Sequence, residues 1–491
     1  MIRKAALRAW LLAGSSVSWI AILHAATAVG IATASVDPLP LTSVCSDDRP
    51  AQHLELSATV AQALNLQPKL LIAEAEELAS RSDVKAAAGG FLPQIDFSAV
   101  DERYVPSNGS APVVVVGNNV LGGAQTKSAY GSLSLQWNLW NNGRDVAAMR
   151  GAQAGVHAAA YGVDNRIGDT LLGVLDAYAE LYEAEVIARD DAGAAAGLTE
   201  IRARAEKRYA HGYGTEVAVG QARVAALNAE ETLNGACRDL DDKSAALAQA
   251  VGLELSSTRR LRAFEPLPQP VSEVLGSGDL EGLVDGSPAV GEARENVVAA
   301  QRAVQRALGE FGPTISLSVR RDYLGQDPDS FGRANHHIAP ADYRIGLEFE
   351  QPLFPFSSQG SDVDKARAEL RKAQASYREA RVDVQTKLLG ALSARREAER
   401  SFAAATSSLA DAEQVLALTE AQFRAGRKDF DAVQHARMDR DAAEADLQKL
   451  GAQRAVAEWR AVRATFPRGF PALVFRELHL QIRPGGGAES P

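Results

Sequence analysis

The sequence predicts a mainly α-helical chain arranged as a tandem repeat, with two very long helices and four strands suited to a membrane. Three observations carry this. The chain matches itself at a nearly constant offset. Each half holds a proline-free stretch of about 65 residues that reads as one helix. Four segments of about ten residues alternate apolar and polar side chains, the period of a strand with one apolar face.

At an offset of 220, Pro68 matches Pro288, Ala73 matches Ala293 and Val84 matches Val304. The match continues through Phe91/Phe311, Pro93/Pro313, Ile95/Ile315 and Ser98/Ser318. Past a variable loop the offset becomes 214, with Leu139 on Leu353, Trp140 opposite Phe354, Tyr209 opposite Phe423 and Gly212 on Gly426. Ala218-Val219, Ala222-Arg223, Glu230 and Leu233 then meet Ala432-Val433, Ala436-Arg437, Glu444 and Leu447. One shift of six residues inside a loop reconciles both registers. Each half reads as helix, strand, loop, strand, very long helix, tight turn, helix.

Residues 1–34 read as a secretory signal peptide. Arg3, Lys4 and Arg8 form a basic start and Trp10 to Ile31 is apolar; Ala26-Thr27-Ala28 and Ala32-Thr33-Ala34 both offer small residues, and cleavage after Ala34 is favoured. A retained anchor is the alternative, because the apolar run is long for a signal. Removing this segment moves the formal charge from −10 to −13, leaving no basic patch for nucleic acid. An N-terminal periplasmic segment (35–56) follows and carries Cys45. An exported chain meets an oxidising compartment, where Cys45 and Cys237 can form a disulfide; two unrelated free thiols are the alternative. A lipid anchor at Cys45 is disfavoured by Val44, which stands where such a site wants a small residue.

The first repeat is expected over 57–275, with strands near 94–104 and 130–140. The second is expected over 276–465, with strands near 313–323 and 342–352, followed by a C-terminal tail, 466–491. Leu133, Leu135, Trp137 and Leu139 alternate with polar residues, as do Ile315, Leu317 and Val319, and Tyr343, Ile345, Leu347 and Phe349. Ile95, Phe97 and Ala99 form the weaker fourth pattern. A tilted membrane strand needs about 9–11 residues, which these segments supply. A soluble half-buried hairpin would look the same locally. The intervening loops, from Val105 to Ser128 and from Leu324 to Ala341, are turn-rich, and His336-His337 reads as a solvated loop feature and not a metal site. In the first long helix Leu171, Leu175, Tyr178 and Tyr182 recur on one face. A helix of this length spans roughly 100 Å at 1.5 Å per residue, more than a globular domain needs.

Gly90-Phe91-Leu92-Pro93 at a helix-to-strand entry, and Gln351-Pro352-Leu353-Phe354 with Gly360 at a strand-to-helix exit, resemble the TolC-like outer-membrane efflux and secretion proteins of Gram-negative bacteria. Asn138-Leu139-Trp140-Asn141-Asn142-Gly143 resembles a degenerate copy of that exit, lacking its Pro. Arg208-Tyr209-Ala210-His211-Gly212-Tyr213-Gly214-Thr215 and Gln422-Phe423-Arg424-Ala425-Gly426-Arg427-Lys428-Asp429 resemble the family's two helical-hairpin tips. The resemblance covers roughly residues 50–465.

It implies an α-barrel of long helices with four strands per chain, closing as a homotrimer into a twelve-stranded β-barrel in outer-membrane lipid. It implies a location in the outer membrane, extending into the periplasm. The implied partners are a periplasmic adaptor (a membrane fusion protein) and an inner-membrane transporter of the ABC or RND class. Tyr209, Gly212, Gly214, Thr215, Phe423, Gly426 and Asp429 are then the expected docking tips. Arg204, Glu206, Arg208, Arg424, Arg427, Asp429 and Asp431 are candidate gate charges, and Pro93, Gly143, Pro313 and Pro352 the strand–helix junctions. A helix cap with no docking role is the alternative for Gly212 and Gly426. The sub-class expected is type I secretion of a large protein such as a repeat-rich toxin, on the pattern of adenylate cyclase–haemolysin exporters. Small-molecule efflux, and a periplasmic scaffold or adaptor, are the alternatives. No nucleophile elbow, phosphate loop or metal cluster is evident, so neither an enzyme, a catalytic residue nor a cofactor is expected.

Overall fold

The computed structural model describes residues 45, 51–53, 55–104, 114–116, 119–121, 126–254, 260–263, 265–270, 279–327, 330–336, 338–353 and 358–478. The expected signal peptide, most of the segment 35–56, Phe354, His337 and the tail beyond residue 478 lie outside them.

In chain order the elements are β1 (Ala51–His53), α1 (Leu56–Leu66), α2 (Pro68–Gly89), β2 (Gln94–Tyr104), β3 (Val114–Val116), β4 (Asn119–Leu121), β5 (Thr126–Trp140), α3 (Arg144–Ala210) and α4 (Glu216–Val251). They continue as β6 (Arg260–Arg262), α5 (Leu280–Asp285), α6 (Pro288–Gly309), β7 (Thr314–Asp327), α7 (Phe331–His336), β8 (Ala339–Glu350), α8 (Ser358–Arg424), α9 (Phe430–Thr465) and α10 (Phe470–Glu477). The repeat is written into the helix boundaries. α2 and α6 each hold 22 residues at offset 220, α3 and α8 each hold 67 at offset 214, and α4 and α9 each hold 36 at the same offset.

The chain divides into two compact units. One comprises 77–159 and 293–378, and the other holds the remaining residues. In the first, a four-stranded antiparallel sheet has the order β2-β5-β7-β8. Its strands fall on the four expected segments, but β5 and β8 start earlier, β7 runs further, and β8 ends at Glu350, short of the expected 352. Pairing with a neighbour extends a strand past the end of its apolar pattern. Two loop elements were not anticipated: the β3–β4 hairpin and the short helix α7.

The strand–helix junctions repeat a hydrogen bond. Pro93 and Pro313 stand immediately before β2 and β7, where a missing N–H costs nothing. Trp137 Nε1 donates to the Phe91 carbonyl at 3.0 Å, and at the corresponding positions Gln351 Nε2 donates to the Phe311 carbonyl at 3.0 Å. The exits differ. Where the second has Pro352, the first turns on Asn142 and Gly143, both left-handed with φ of 53° and 78°. Asn and Gly tolerate that region best.

The second unit is helical. Its core gathers Leu56, Val60 and Ala63 of α1, Leu70 of α2, Ile167, Leu171, Leu175, Tyr178 and Leu181 of α3, and Leu240, Leu247 and Val251 of α4. Trp459 of α9 and Phe470 and Val474 of α10 complete it. Trp459 meets the Phe470 ring edge-on and donates from Nε1 to the Pro268 carbonyl at 2.8 Å. The tail beyond residue 465 thus contributes a core helix. β1 pairs in parallel with β6, and the backbone around β6 is held by side chains: Ser244 Oγ accepts from Leu261 N, and Glu185 Oε1 from Ala263 N. Cys45 and Cys237 are joined in a disulfide that spans 192 residues, with Cα atoms 5.7 Å apart.

Candidate channel wall and hairpin tips

In an antiparallel sheet, residues directly opposite share a face. The register therefore sorts every side chain of the wall. On one face Ile95, Leu135, Val319 and Ile345 form a row across all four strands. Phe97, Leu133, Arg321 and Tyr343 form the next, and Trp137, Leu317 and Leu347 another. The opposite face carries Asp96, Ser134, Arg320 and Arg344 in one row, and Asn138, Ser316 and Glu348 in another. Its polar groups engage one another: Ser98 Oγ lies 2.8 Å from Ser132 Oγ, Arg320 Nε donates to Asp322 Oδ1 at 2.7 Å, and Arg344 bonds Asp342 at 3.1 Å.

The apolar face is bare. Ile95, Phe97, Ile345, Leu347 and Phe349 are each more than 60% exposed. A soluble sheet would cover such a face; one apolar and one charged face describe a wall between lipid and water. β2 and β8 are the ends of the sheet, and neither has a second strand partner among the described residues. An open edge does not survive in hydrocarbon, so the wall requires more strands than one chain supplies.

The tips belong to the helical unit. α3 and α8 both end on glycines with positive φ, 77° at Gly212 and 70° at Gly426. At each end the glycine N–H reaches back to Tyr209 or Phe423, and the next residue's N–H to Arg208 or Gln422. This Schellman arrangement satisfies carbonyls that the helix leaves unpaired. The return helices start alike: Thr215 Oγ1 accepts from Ala218 N at 3.2 Å, and Asp429 Oδ1 accepts from Ala432 N at 3.0 Å. Both are N-caps. Two expected docking residues thus have a local structural task, and Asp429 among the gate charges is already engaged.

The remaining gate candidates divide. Arg208 faces Asp431 at 3.9 Å and Arg204 stacks on the Phe430 ring at 3.3 Å, so these two residues tie the first hairpin to the second. Glu206 pairs with Arg223 at 3.8 Å inside the first hairpin. Arg424 bonds the Glu420 carbonyl one turn back, and Arg427 projects from the second tip, exposed. Phe423 meets Phe430 edge-on at 6.2 Å, while Tyr213 is 83% exposed. The Arg204–Phe430 stack escaped the sequence reading, although an aromatic directly after a capping Asp was a visible signal.

Further along the same helices, Asp176, Glu180 and Glu183 of α3 line a groove of about 400 Å3 with Gln453 and Arg460 of α9 and Glu397 of α8. Burial pushes the Asp176 carboxyl up, against the hydrogen bond from Arg460 at 3.0 Å, which lowers it. Burial likewise raises Glu183, opposed by Gln453. It also raises Asp190, and the acids Asp191, Asp441 and Asp446 push it the same way.

A family model described as outer membrane efflux protein matches residues 59–253 and 281–464. Protein CyaE of Bordetella pertussis is 25% identical over 343 residues, which is 68% of this chain and 68% of that protein. The solved Campylobacter jejuni CmeC outer membrane channel superposes with a TM-score of 0.68 at 18% identity, covering 86% of this chain and 89% of its own. A membrane protein from Pseudomonas aeruginosa gives 0.67 at 17% identity, covering 88% and 99%, and the open Neisseria gonorrhoeae MtrE outer membrane channel 0.66 at 18%, covering 84% and 88%.

Proposed function

Because this chain belongs to the outer membrane efflux protein family, a family of channels and not of enzymes, we propose that it is the outer-membrane conduit of a type I secretion machine that exports a protein. Membership sets aside the reading as a free periplasmic scaffold or adaptor. The similarity to protein CyaE supports protein secretion over small-molecule efflux.

The sheet carries the argument for a conduit. It has an uncovered apolar face, a charged face and two free edges, and three such sheets joined β8 to β2 close a barrel of twelve strands. A homotrimer is therefore the assembly proposed. The tips around Gly212 and Gly426 are proposed as the periplasmic mouth and adaptor-docking surface, with Arg208–Asp431 as one of its latches. An exposed pair of this kind contributes about 0–1 kcal/mol, weak enough for an adaptor to break.

The test is a Gram-negative host lacking this chain. The expected result is loss of at least one secreted protein from the medium, with susceptibility to small toxic compounds unchanged. Gain of susceptibility with an intact secretome would move the assignment to small-molecule efflux. A chain that stays monomeric in detergent would overturn the trimer.

A further inference from the structure

Arg321 lies on the apolar face of the sheet, in the row of Phe97, Leu133 and Tyr343. Its guanidinium carbon is 5.9 Å from the ring centres of both Tyr323 and Tyr343, and its Nε is buried without a hydrogen-bond partner. The neighbouring charges Arg320 and Asp322 belong to the opposite face and pair with each other. Two rows further toward the loop, Asp101 of the same face is taken by Asn335 Nδ2 at 3.1 Å.

The height of this row follows from what brackets it. Toward the helices the face reads Val319, Leu317 and Ile315, with Trp137 and Phe349, which suits hydrocarbon. Toward the loop, α7 packs over Gly325, its Ala334 carbonyl against the glycine, and brings Asn335 and Arg333 to the same end. Those polar groups belong in water. The membrane boundary thus falls at the Arg321–Tyr323 level, and tyrosines at that level are what an interface selects.

We propose that Arg321, framed by Tyr323 and Tyr343, is a binding site for the anionic phosphate headgroup of an outer-leaflet lipid. A charge facing hydrocarbon is costly, and snorkelling toward a phosphate relieves the cost. Arginine presents a planar fork of donors that matches phosphate, and the tyrosine hydroxyls add further donors. The proposal rests on the apolar face being the lipid face, and is otherwise independent of cargo. An intact secretome in the host lacking this chain, with lipid binding by the purified protein retained, counts against the function alone.

The full-length protein in detergent can be titrated with phosphatidylglycerol, lipid A, phosphatidylcholine or inorganic phosphate, and its adducts read by native mass spectrometry. The wild type should hold phosphatidylglycerol and lipid A and leave phosphatidylcholine unbound. Arg321→Gln should lower occupancy at least fivefold, Arg321→Lys should keep part of it, and Arg320→Gln, one residue away on the other face, should change nothing. Should Arg321→Gln fail to assemble, Tyr343→Leu supplies the second reading, with an expected two- to threefold loss. Equal adducts in wild type and Arg321→Gln, or in wild type and Tyr343→Leu when that variant supplies the reading, would overturn the site. Inorganic phosphate binding as tightly as the lipids would overturn the lipid assignment.

Discussion

The two 67-residue helices are copies in length and register, yet they live in different surroundings. Val174 of α3 and Leu388 of α8 occupy equivalent positions, and both are buried. One residue on, Leu175 is fully buried, whereas its equivalent Leu389 is 51% exposed. Leu171 is buried as well, where Gln385 stands exposed. α3 buries Leu171, Val174 and Leu175 together. α8 buries Leu388 and leaves Val382, Leu389, Val415 and Leu418 exposed. Duplication preserved the helix and its ends. It left these four apolar side chains of the second copy uncovered, where a neighbouring subunit could bury them.

The largest test of that asymmetry is the disulfide. Cys237 ties α4 to the N-terminal segment, while the equivalent residue of α9 is Gly451. Replacing both cysteines by alanine should cost about 2–5 kcal/mol, since the chain-entropy argument favours long loops. The loss should read as a lower melting temperature in detergent, together with faster exchange in α4 and not in α9. Equal loosening of both return helices would break the comparison.

Leu175→Ala should cost about 2–5 kcal/mol through the cavity it leaves. Leu389→Ala should change the fold of the chain by less than about 0.5 kcal/mol and instead weaken the trimer. Melting and native mass measured on the same samples separate the two effects. The tips come next. Gly212→Ala and Gly426→Ala each force a side chain into left-handed backbone, a penalty of about 1–2 kcal/mol, visible as fraying of the last turn by hydrogen exchange. Gly214→Lys should be tolerated. Its Cβ would sit 3.0 Å from Tyr209 N, but Lys428 already occupies the equivalent place in the second tip.

The Arg208–Asp431 pair should couple by only about 0.2–1 kcal/mol in a double-mutant cycle and fade at high salt. Acid should act the other way on α3. Burial raises Asp176, Glu183, Asp190 and Asp191, so the folded state binds their protons more tightly than the unfolded chain does. Their cost to stability is present at neutral pH and is relieved as pH falls through the raised values toward the ordinary 3.8 to 4.5. Asp176→Asn should flatten that trend in a melting-temperature series taken from pH 7 down toward pH 4.

The large elements were legible because their signals are local. The offsets of 220 and 214 recur between the helix boundaries of the two halves, and alternation found all four strands of the wall. What alternation could not give was length, because the ends of β5 and β7 depend on their partners. The β1–β6 pair and the β3–β4 hairpin have three-residue strands with no periodic pattern to detect. At the tips, sequence could say that Gly212 and Gly426 end helices. It could not separate a capping Asp429 from a bridging Asp431, since both are acids two residues apart. Arg321 lies past the apolar run Ile315, Leu317 and Val319, and only the register puts it among apolar neighbours.

The Cys45–Cys237 bond also sets an order of events in biogenesis. An outer-membrane chain meets its oxidant after crossing the inner membrane, and it crosses from its N-terminus. Cys45 therefore arrives alone and waits while 192 further residues follow before its partner emerges. If export keeps pace with synthesis at roughly 5–20 residues per second, that interval is about ten to forty seconds. During it the thiol is open to a periplasmic oxidase as a mixed disulfide. Fastening the N-terminal segment is thus one of the later steps of the first repeat's maturation, after α3 has been delivered in full.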